Sequence, residues 1–414
     1  MTAAAKLPDA AWLNGGAVAQ LLDALNRDGE EARVVGGAVR NALLHLPVGE
    51  VDVATTAVPE EVVRRVEAAG WRAVPTGIEH GTVTAVIGER AFEVTTLRQD
   101  IETFGRNARV AFGRNWKLDA ERRDFTINAL SAATDGNVHD YVGGLSDIAA
   151  RRVRFIGEAE HRIAEDYLRI LRFFRFHAYF VAGPPDAAGL LACIRSRAGL
   201  ATLSRERVRL ELLKLVLAPH AAPTLAVMAE AGILGEVLGG APYLASFENV
   251  VKAEAAIGVA PDAVRRIGAL GVRVKEDAER LTDRLRLSNA ESERLLMIDP
   301  WWRVSPVAGD HAARALLYQL GPQAFTDRVL IAWARSDAGA ADRAWREVAT
   351  LPQRWTAPAF PLKAADFMQR GVPAGPALGA ARRAAEAAWI AADFPADRAA
   401  LETLAGAAAK ESRS

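Results

Sequence analysis

The sequence predicts an α/β head followed by a long all-α body, and three observations carry that prediction. Residues up to about 148 mix short β-rich runs with helical patterns, the β signal vanishes from about residue 150 onward, and 414 residues exceed what one domain usually holds. Half of the chain is hydrophobic and a quarter is charged, the proportions of an ordinary soluble globular protein.

Taken in order, apolar and β-branched runs predict strands near Ala32 to Val35, Glu50 to Ala54, Thr82 to Ile87, Ala91 to Leu97 and Ala129 to Ala133. A helix is expected from Pro59 to Ala69, with proline at its start, Glu60 and Glu61 in its first turn and Gly70 after its end. Between Arg98 and Leu118 the pattern loses its periodicity and reads as a long loop, of the kind that is commonly functional in compact domains. His161 to Phe180 reads as one amphipathic helix stopped by Gly183-Pro184-Pro185, and Leu203 to Leu217 as another, capped by Ser204. Ser288 and Glu291 have the spacing of a capping box. The Ala-rich remainder, broken by LPQRWTAPAFPLK, continues as helices to a polar tail.

Composition narrows the function classes. Lys plus Arg equals Asp plus Glu at 51 each, so any nucleic-acid surface must come from local clustering. The single cysteine, Cys193, excludes a disulfide framework and a cysteine zinc site. The seven histidines are scattered with no H-x-x-x-H pair, which leaves a carboxylate-held metal as the expected kind. The opening MTAAAKLPDAAWL lacks a sustained apolar core, and no run of about 18 uncharged apolar residues occurs, so a cytoplasmic protein without membrane contact is expected.

Four constellations carry chemistry. In RVVGGAVRNALLHLPVGEVDVATT a strand runs into Gly36-Gly37, a short helix carries Arg40, and Glu50 and Asp52 follow two residues apart. Strand side chains at i and i+2 leave one face, so two carboxylates able to hold Mg²⁺ stand beside a glycine pair whose N–H groups suit an anion. In-line attack on an α-phosphate uses two metal ions about 3.5–4 Å apart, so a third carboxylate is expected from a neighbouring strand, and Glu93 in AFEVTTLR is the candidate. In ERRDFTINA, charge changes abruptly to core: Arg122, Arg123 and Asp124 precede the apolar run, with an arginine for a triphosphate, Asp124 for ribose hydroxyls and Asn128 one turn on. In EDYLRILRFFRF, one helix would place Asp166, Arg169 and Arg172 on a shared face. A carboxylate accepting from an exocyclic amine beside a guanidinium donating to a ring nitrogen accepts cytosine and adenine and rejects guanine and uracil. The fourth is a basic bias, seven Arg against four acids from Arg151 to Phe180, that fits RNA-backbone contact as well as a solvated helix face.

The stretches VVGGAVRN, EVDVATT, EVTTLR, RRDFTINAL, VGGLSDIAARRVRFIG, EDYLRILRFFRF and SRERVRLELLK, in this order, resemble the class II tRNA nucleotidyltransferases, or CCA-adding enzymes, together with bacterial poly(A) polymerases. The resemblance implies a polymerase-β-like catalytic head over residues 1–148, a helical neck over 149–218 that recognises the base, and a helical body and tail over 219–414 that bind tRNA. It implies CTP and ATP as substrates, Mg²⁺ as cofactor and the tRNA 3′ end as acceptor. By motif match, Glu50 and Asp52 are the metal ligands; Gly36, Gly37 and Arg40 hold the triphosphate; Arg123 and Asp124 hold the sugar-phosphate; and Glu165, Asp166 and Arg169 form an amino-acid template for the base. The loop after Arg98 matches the family's flexible loop. Two positions depart from the family: Asn41 and Glu50 stand where aspartate is usual. The extra methylene of Glu50 moves its oxygens by about a bond length in a site that demands near-octahedral geometry, which points to slower chemistry or a preference for Mn²⁺. Partial A-adding, CC-adding or poly(A) activity, and a non-catalytic RNA-binding relative, are the alternatives; oligomeric state is not legible.

Overall fold

The computed structural model describes residues 5–8, 10–104 and 107–412, in two compact units, Met1–Val237 and Leu238–Ser414. The first unit contains strands β1 (Ala32–Val35), β2 (Asp52–Thr55), β3 (Arg72–Gly77), β4 (Thr82–Ile87), β5 (Arg90–Thr96), β6 (Arg98–Phe104), β7 (Asn107–Phe112), β8 (Ser131–Ala132) and β9 (Val138–His139). Seven of them form one sheet in the order β3-β4-β5-β2-β1-β8-β9, and β6 and β7 pair separately. In the sheet, β2 and β5 run parallel, with Val53 opposite Val94, while β1 lies antiparallel to β2.

Alternation along these strands sorts the two faces of the sheet. Val34, Val53, Val83 and Val94 are buried on one face with Leu21, Leu22 and Leu25 of the helix Gly16–Leu25 and Val62 and Val66 of the helix Pro59–Ala68. Val35, Ala54 and Leu97 cluster on the opposite face with Trp116. Asp52 and Glu93 alternate with the buried valines, so both carboxylates leave the face away from the helices, one register step before the Val53–Val94 pair.

Three expectations are corrected. The segment from Arg98 to Leu118 is a hairpin, β6 paired to β7, followed by the helix Trp116–Glu121; residues 105 and 106 lie outside the described residues. Glu50 precedes β2, which begins at Asp52. The helix expected from His161 to Phe180 is two helices, Ala159–Glu165 and Leu168–Phe180, because Asp166 is extended (φ −156°, ψ 106°). Its carboxylate accepts from Leu168 N at 3.1 Å, a local bond that competes with continuing the helix, and the Tyr167 ring fills the space where a Cβ on Gly199 would lie at 2.0 Å.

The segment after the sheet joins the helices through a phenylalanine cluster. The rings of Phe125 and Phe155 are 4.8 Å apart, Phe155 stacks on Phe173 at 5.4 Å, and Phe125 meets Phe176 at 5.5 Å. Gly144 closes against the same segment so tightly that a Cβ there would sit 2.3 Å from the Thr126 carbonyl oxygen. Asp147, fully buried, accepts from Thr126 Oγ1 at 2.6 Å and pairs with Arg152 and Arg154 at 2.5 and 2.9 Å.

The second unit is helical. Its core includes Phe247, Leu270, Leu281, Phe325 and Trp333, and Arg265 pairs at 2.6 Å with Glu254 and at 2.9 Å with Asp327. Ser288 and Glu291 make the expected capping box. Cys193, in the first unit, is buried and free, and no helix among the described residues is long and apolar enough to cross a membrane.

Candidate active site

The glycine turn, the acidic strand, the RRDFTIN segment and the two-helix break converge on one cavity of about 600 Å³. Of the residues singled out in the sequence, Gly36, Gly37, Arg40, Glu50, Asp52, Arg123, Asp124, Asn128, Asp166, Arg169 and Arg172 line it. Glu93 and Glu165 are not among its lining residues.

Gly36 caps the helix Gly37–Leu43 with φ 69°, a left-handed backbone that glycine adopts without strain, and so turns β1 into the cavity wall. Arg40, on that helix, is buried and donates to Asn128 Oδ1 at 2.5 Å and, through Nε and Nη2, to Asn41 Oδ1 at 3.2 and 2.9 Å. Asn41 itself donates to the Pro47 carbonyl at 3.1 Å, so the neutral amide at this position orients the arginine. Burial, with Arg175 and Arg172 nearby, pushes the Arg40 guanidinium down to about 10, still charged at neutral pH.

Burial raises the Asp52 carboxyl above its ordinary value, and the negative charges of Glu93 and Glu50 raise it further, against the opposing pull of Arg123. Among the described residues no group of three His, Cys, Asp or Glu side chains is placed to hold a metal ion. Mg²⁺ in nucleotidyl sites is usually held by one or two carboxylates together with substrate phosphates and water, and Glu50 and Asp52, which both line this cavity, fit that pattern. A divalent cation beside Asp52 would offset the repulsion that its carboxylate neighbours impose.

Asp124 is the hinge between the segment after the sheet and the helices. Its Oδ2 accepts from Arg172 Nε and Nη2 at 2.7 and 2.6 Å, and its Oδ1 from Phe125 N at 2.8 Å and Asn128 Nδ2 at 3.1 Å. Burial raises this carboxyl, but Arg172 and the hydrogen bonds outweigh it and hold it below the ordinary carboxylate range. Arg123 donates to Asp119 at 3.2 and 3.3 Å and leaves Asp124 to Arg172.

Asp166 and Arg169 do not share the helix face expected for them. Arg169 donates to Glu165 and, at 2.6 Å, to the Arg162 carbonyl, while Arg162 grips Glu165 at 2.6 and 2.7 Å. Asp166, in the break, is held by Arg207, which donates from Nη1 at 3.2 Å and Nη2 at 2.6 Å. Asp166 and Arg169 therefore each have a separate holder and both line the cavity. Arg207, Arg175, Arg122, Leu168 and Phe176 also line it, and sequence reasoning did not assign them. Phe176 lies under the guanidinium of Arg175 at 4.1 Å and within 5.3 Å of Arg40 and Arg172. A signal existed for Arg175 and Phe176, which fall at helical spacing from Arg172; for Arg207 the only signal was the charge of SRERVRLELLK.

Two regions match known protein families: residues 32–154 match the Poly A polymerase head domain, and residues 190–247 match a probable RNA and SrmB-binding site of polymerase A. The mitochondrial CCA tRNA nucleotidyltransferase 1 of Mus musculus is 34% identical over 373 residues, which is 89% of this chain and 85% of that protein. The chain belongs to the CCA tRNA nucleotidyltransferase family. A CCA-adding enzyme of Limosilactobacillus fermentum is 33% identical over 87% of this chain and 89% of its own. Among solved structures, the Bacillus stearothermophilus CCA-adding enzyme in complex with CTP superposes with a TM-score of 0.77 at 28% identity, covering 95% of this chain and 97% of that one.

Proposed function

We propose that this CCA tRNA nucleotidyltransferase transfers CMP and then AMP from CTP and ATP to the 3′ end of tRNA, releasing pyrophosphate and building or repairing the CCA terminus. The observation that carries the proposal is the presence of Asp166 and Arg169, separately held, in the cavity that also contains Glu50 and Asp52. Asp166 accepts from the exocyclic amine and Arg169 donates to the ring nitrogen, a pattern that cytosine and adenine share. Asp166 has acceptor capacity left, since Leu168 N and Arg207 take three of a carboxylate's roughly four lone-pair sites.

Residues 1–148 act as the catalytic head, 149–218 as the base-reading neck and 219–414 as the tRNA-binding body and tail. Gly36, Gly37 and Arg40 hold the triphosphate, Arg123 and Asp124 the sugar-phosphate, with Asn128 fixing Arg40 against Asp124 and Arg172 fixing Asp124. Glu165 positions Arg169. Glu50 and Asp52 would hold Mg²⁺, with Glu93 adding negative charge behind Asp52. Bound Mg²⁺ neutralises charge on the triphosphate and activates the attacking hydroxyl.

The test supplies the purified chain with a tRNA lacking its terminus and each of the four labelled nucleotides. The expected result is CMP addition followed by a single AMP; long tails from ATP alone would identify a poly(A) polymerase instead. Asp166→Ala removes one substrate hydrogen bond, about 1–3 kcal/mol, so selectivity against UTP and GTP should fall on the order of ten- to a hundredfold. An Asp166→Ala protein that keeps full C and A preference sinks the templating assignment.

A further inference from the structure

We propose that the second unit carries an RNA-docking patch on the turn Trp301–Arg303, which stacks an unpaired nucleobase on Trp302 and takes the flanking phosphates on Arg273 and Arg303. This site is built from residues of the second unit alone, and its test needs no nucleotide incorporation.

Trp302 is 53% exposed, and it is the only tryptophan among the described residues classed as exposed rather than buried or half-buried. Its ring crosses that of Trp301 at 86° with centroids 6.1 Å apart, so Trp301 braces it edge-on rather than by stacking. Trp301 is itself fixed: its Nε1 donates to the Arg273 carbonyl at 3.1 Å, and Arg335 lies over its ring at 4.9 Å. Arg335 donates to Ser246 Oγ at 3.1 Å and to carbonyls that end the helix Ala263–Gly271, which anchors the aromatic pair to the core of the unit.

Two cations at this turn are exposed and make no ion pair among the described residues. Arg273 is exposed, its guanidinium lies 5.1 Å from the Tyr243 ring and 5.8 Å from the Trp301 ring, and it makes no ion pair among the described residues. Arg303 is likewise exposed without an ion pair among those residues. The acid facing the cluster, Asp277, is committed: it pairs with Arg280 at 2.7 Å and accepts from Arg273 N at 2.8 Å. Asp299, two residues before Trp301, lies near Arg328.

An exposed indole next in sequence to the exposed Arg303, with the exposed Arg273 on the far side of Trp301, matches a polyanion with exposed π-faces. Base–aromatic stacking is worth about 1–3 kcal/mol per base, and each neutralised phosphate adds a salt-dependent increment. A protein partner would meet the same indole but would have to supply acids for both arginines.

The experiment measures Kd of the full chain for tRNA by fluorescence anisotropy over a series of salt concentrations, without nucleotide. Trp302→Ala should weaken binding about tenfold, equivalent to about 1.4 kcal/mol, and Trp302→Phe should restore most of it. The double variant Arg273→Gln/Arg303→Gln should flatten the slope of log Kd against log salt by about 1 to 2. Unchanged Kd and slope in Trp302→Ala and in the double variant overturn the proposal. So does a change confined to self-association, measured by sedimentation, which would make the patch a contact between copies. If instead tRNA binding responds as expected while CTP and ATP are not incorporated, the docking patch stands and the catalytic reading falls.

Discussion

The Asp124–Arg172 pair should be an energetic joint between the segment that follows the sheet and the helix Leu168–Phe180, and a double-mutant cycle measures it. Asp124→Asn leaves Oδ1 able to accept from Phe125 N and Asn128, but turns an amide N–H₂ toward Arg172 Nε and Nη2, which donate to Oδ2 at 2.7 and 2.6 Å. Two charge-assisted hydrogen bonds are lost and a half-buried arginine loses its closest counter-charge. The general cost of breaking one side of a buried pair is about 3–5 kcal/mol. Two features reduce it here: the Arg172 side chain retains 33% exposure, and Glu211 lies 3.9 Å from its Nη1. The expected loss is therefore about 2–3 kcal/mol for Asp124→Asn. Arg172→Gln should cost a similar amount, because it leaves the Asp124 carboxylate buried. The double variant, with amide facing amide, should lose less than the sum by about 1.5–2 kcal/mol. Urea unfolding of the four proteins gives the coupling energy directly. A coupling below about 0.5 kcal/mol would mean that the phenylalanine cluster alone joins these elements, and the argument from the ion pair would be refuted.

Asp52→Ala should abolish incorporation while leaving tRNA Kd nearly unchanged, and Glu50→Asp should retain or raise it; tRNA extension by Asp52→Ala would remove Asp52 from the metal site. Gly144→Ala should lower stability by about 3 kcal/mol or prevent folding, since its Cβ meets the Thr126 carbonyl oxygen at 2.3 Å, whereas Gly49→Ala meets nothing within 4 Å and should be neutral in thermal unfolding. Burial pushes the His177 imidazole down to about 4, with the nearby His220 adding to the shift and a backbone contact to Gly183 opposing it. Between its ordinary value near 6.5 and about 4 the unfolded chain binds the proton and the folded chain does not, so this stability is present above pH 6.5 and lost as pH falls toward 4. The loss should reach at most about 3 kcal/mol; His177→Gln should flatten the fall of urea stability between pH 6.5 and 4.5, and an unchanged slope would exclude His177 as its source.

Local patterns determined much of this protein. β1, β2, β4 and β5, the helix at Pro59 and the change to all-helical structure after the head are legible in the sequence, because alternation, proline and glycine act over a few residues. The glycine turn, Arg40, the acids Glu50 and Asp52, and Asp124 with Asn128 are legible for the same reason: each sits in a short run where polar chemistry interrupts an apolar pattern, and all of them line one cavity. β3 was not legible, since this edge strand is largely exposed and shows no alternation. Neither was the hairpin of β6 and β7, because the sequence from Arg98 onward shows no sustained apolar alternation from which a strand could be read.

Partner choice was decided by the tertiary structure alone. Asp124 finds Arg172 48 residues away and Asp166 finds Arg207 41 residues away, and no local spacing distinguishes these arginines from their neighbours. The break at Asp166, which separates this carboxylate from the helix carrying Arg169, follows from the Tyr167 ring packing on Gly199 and from the grip of Arg207. A charged side chain near the interior must take the counter-charge that packing brings within reach. Contacts distant in sequence, such as the packing of Phe125 and Phe155 on Phe173, bring those charges together.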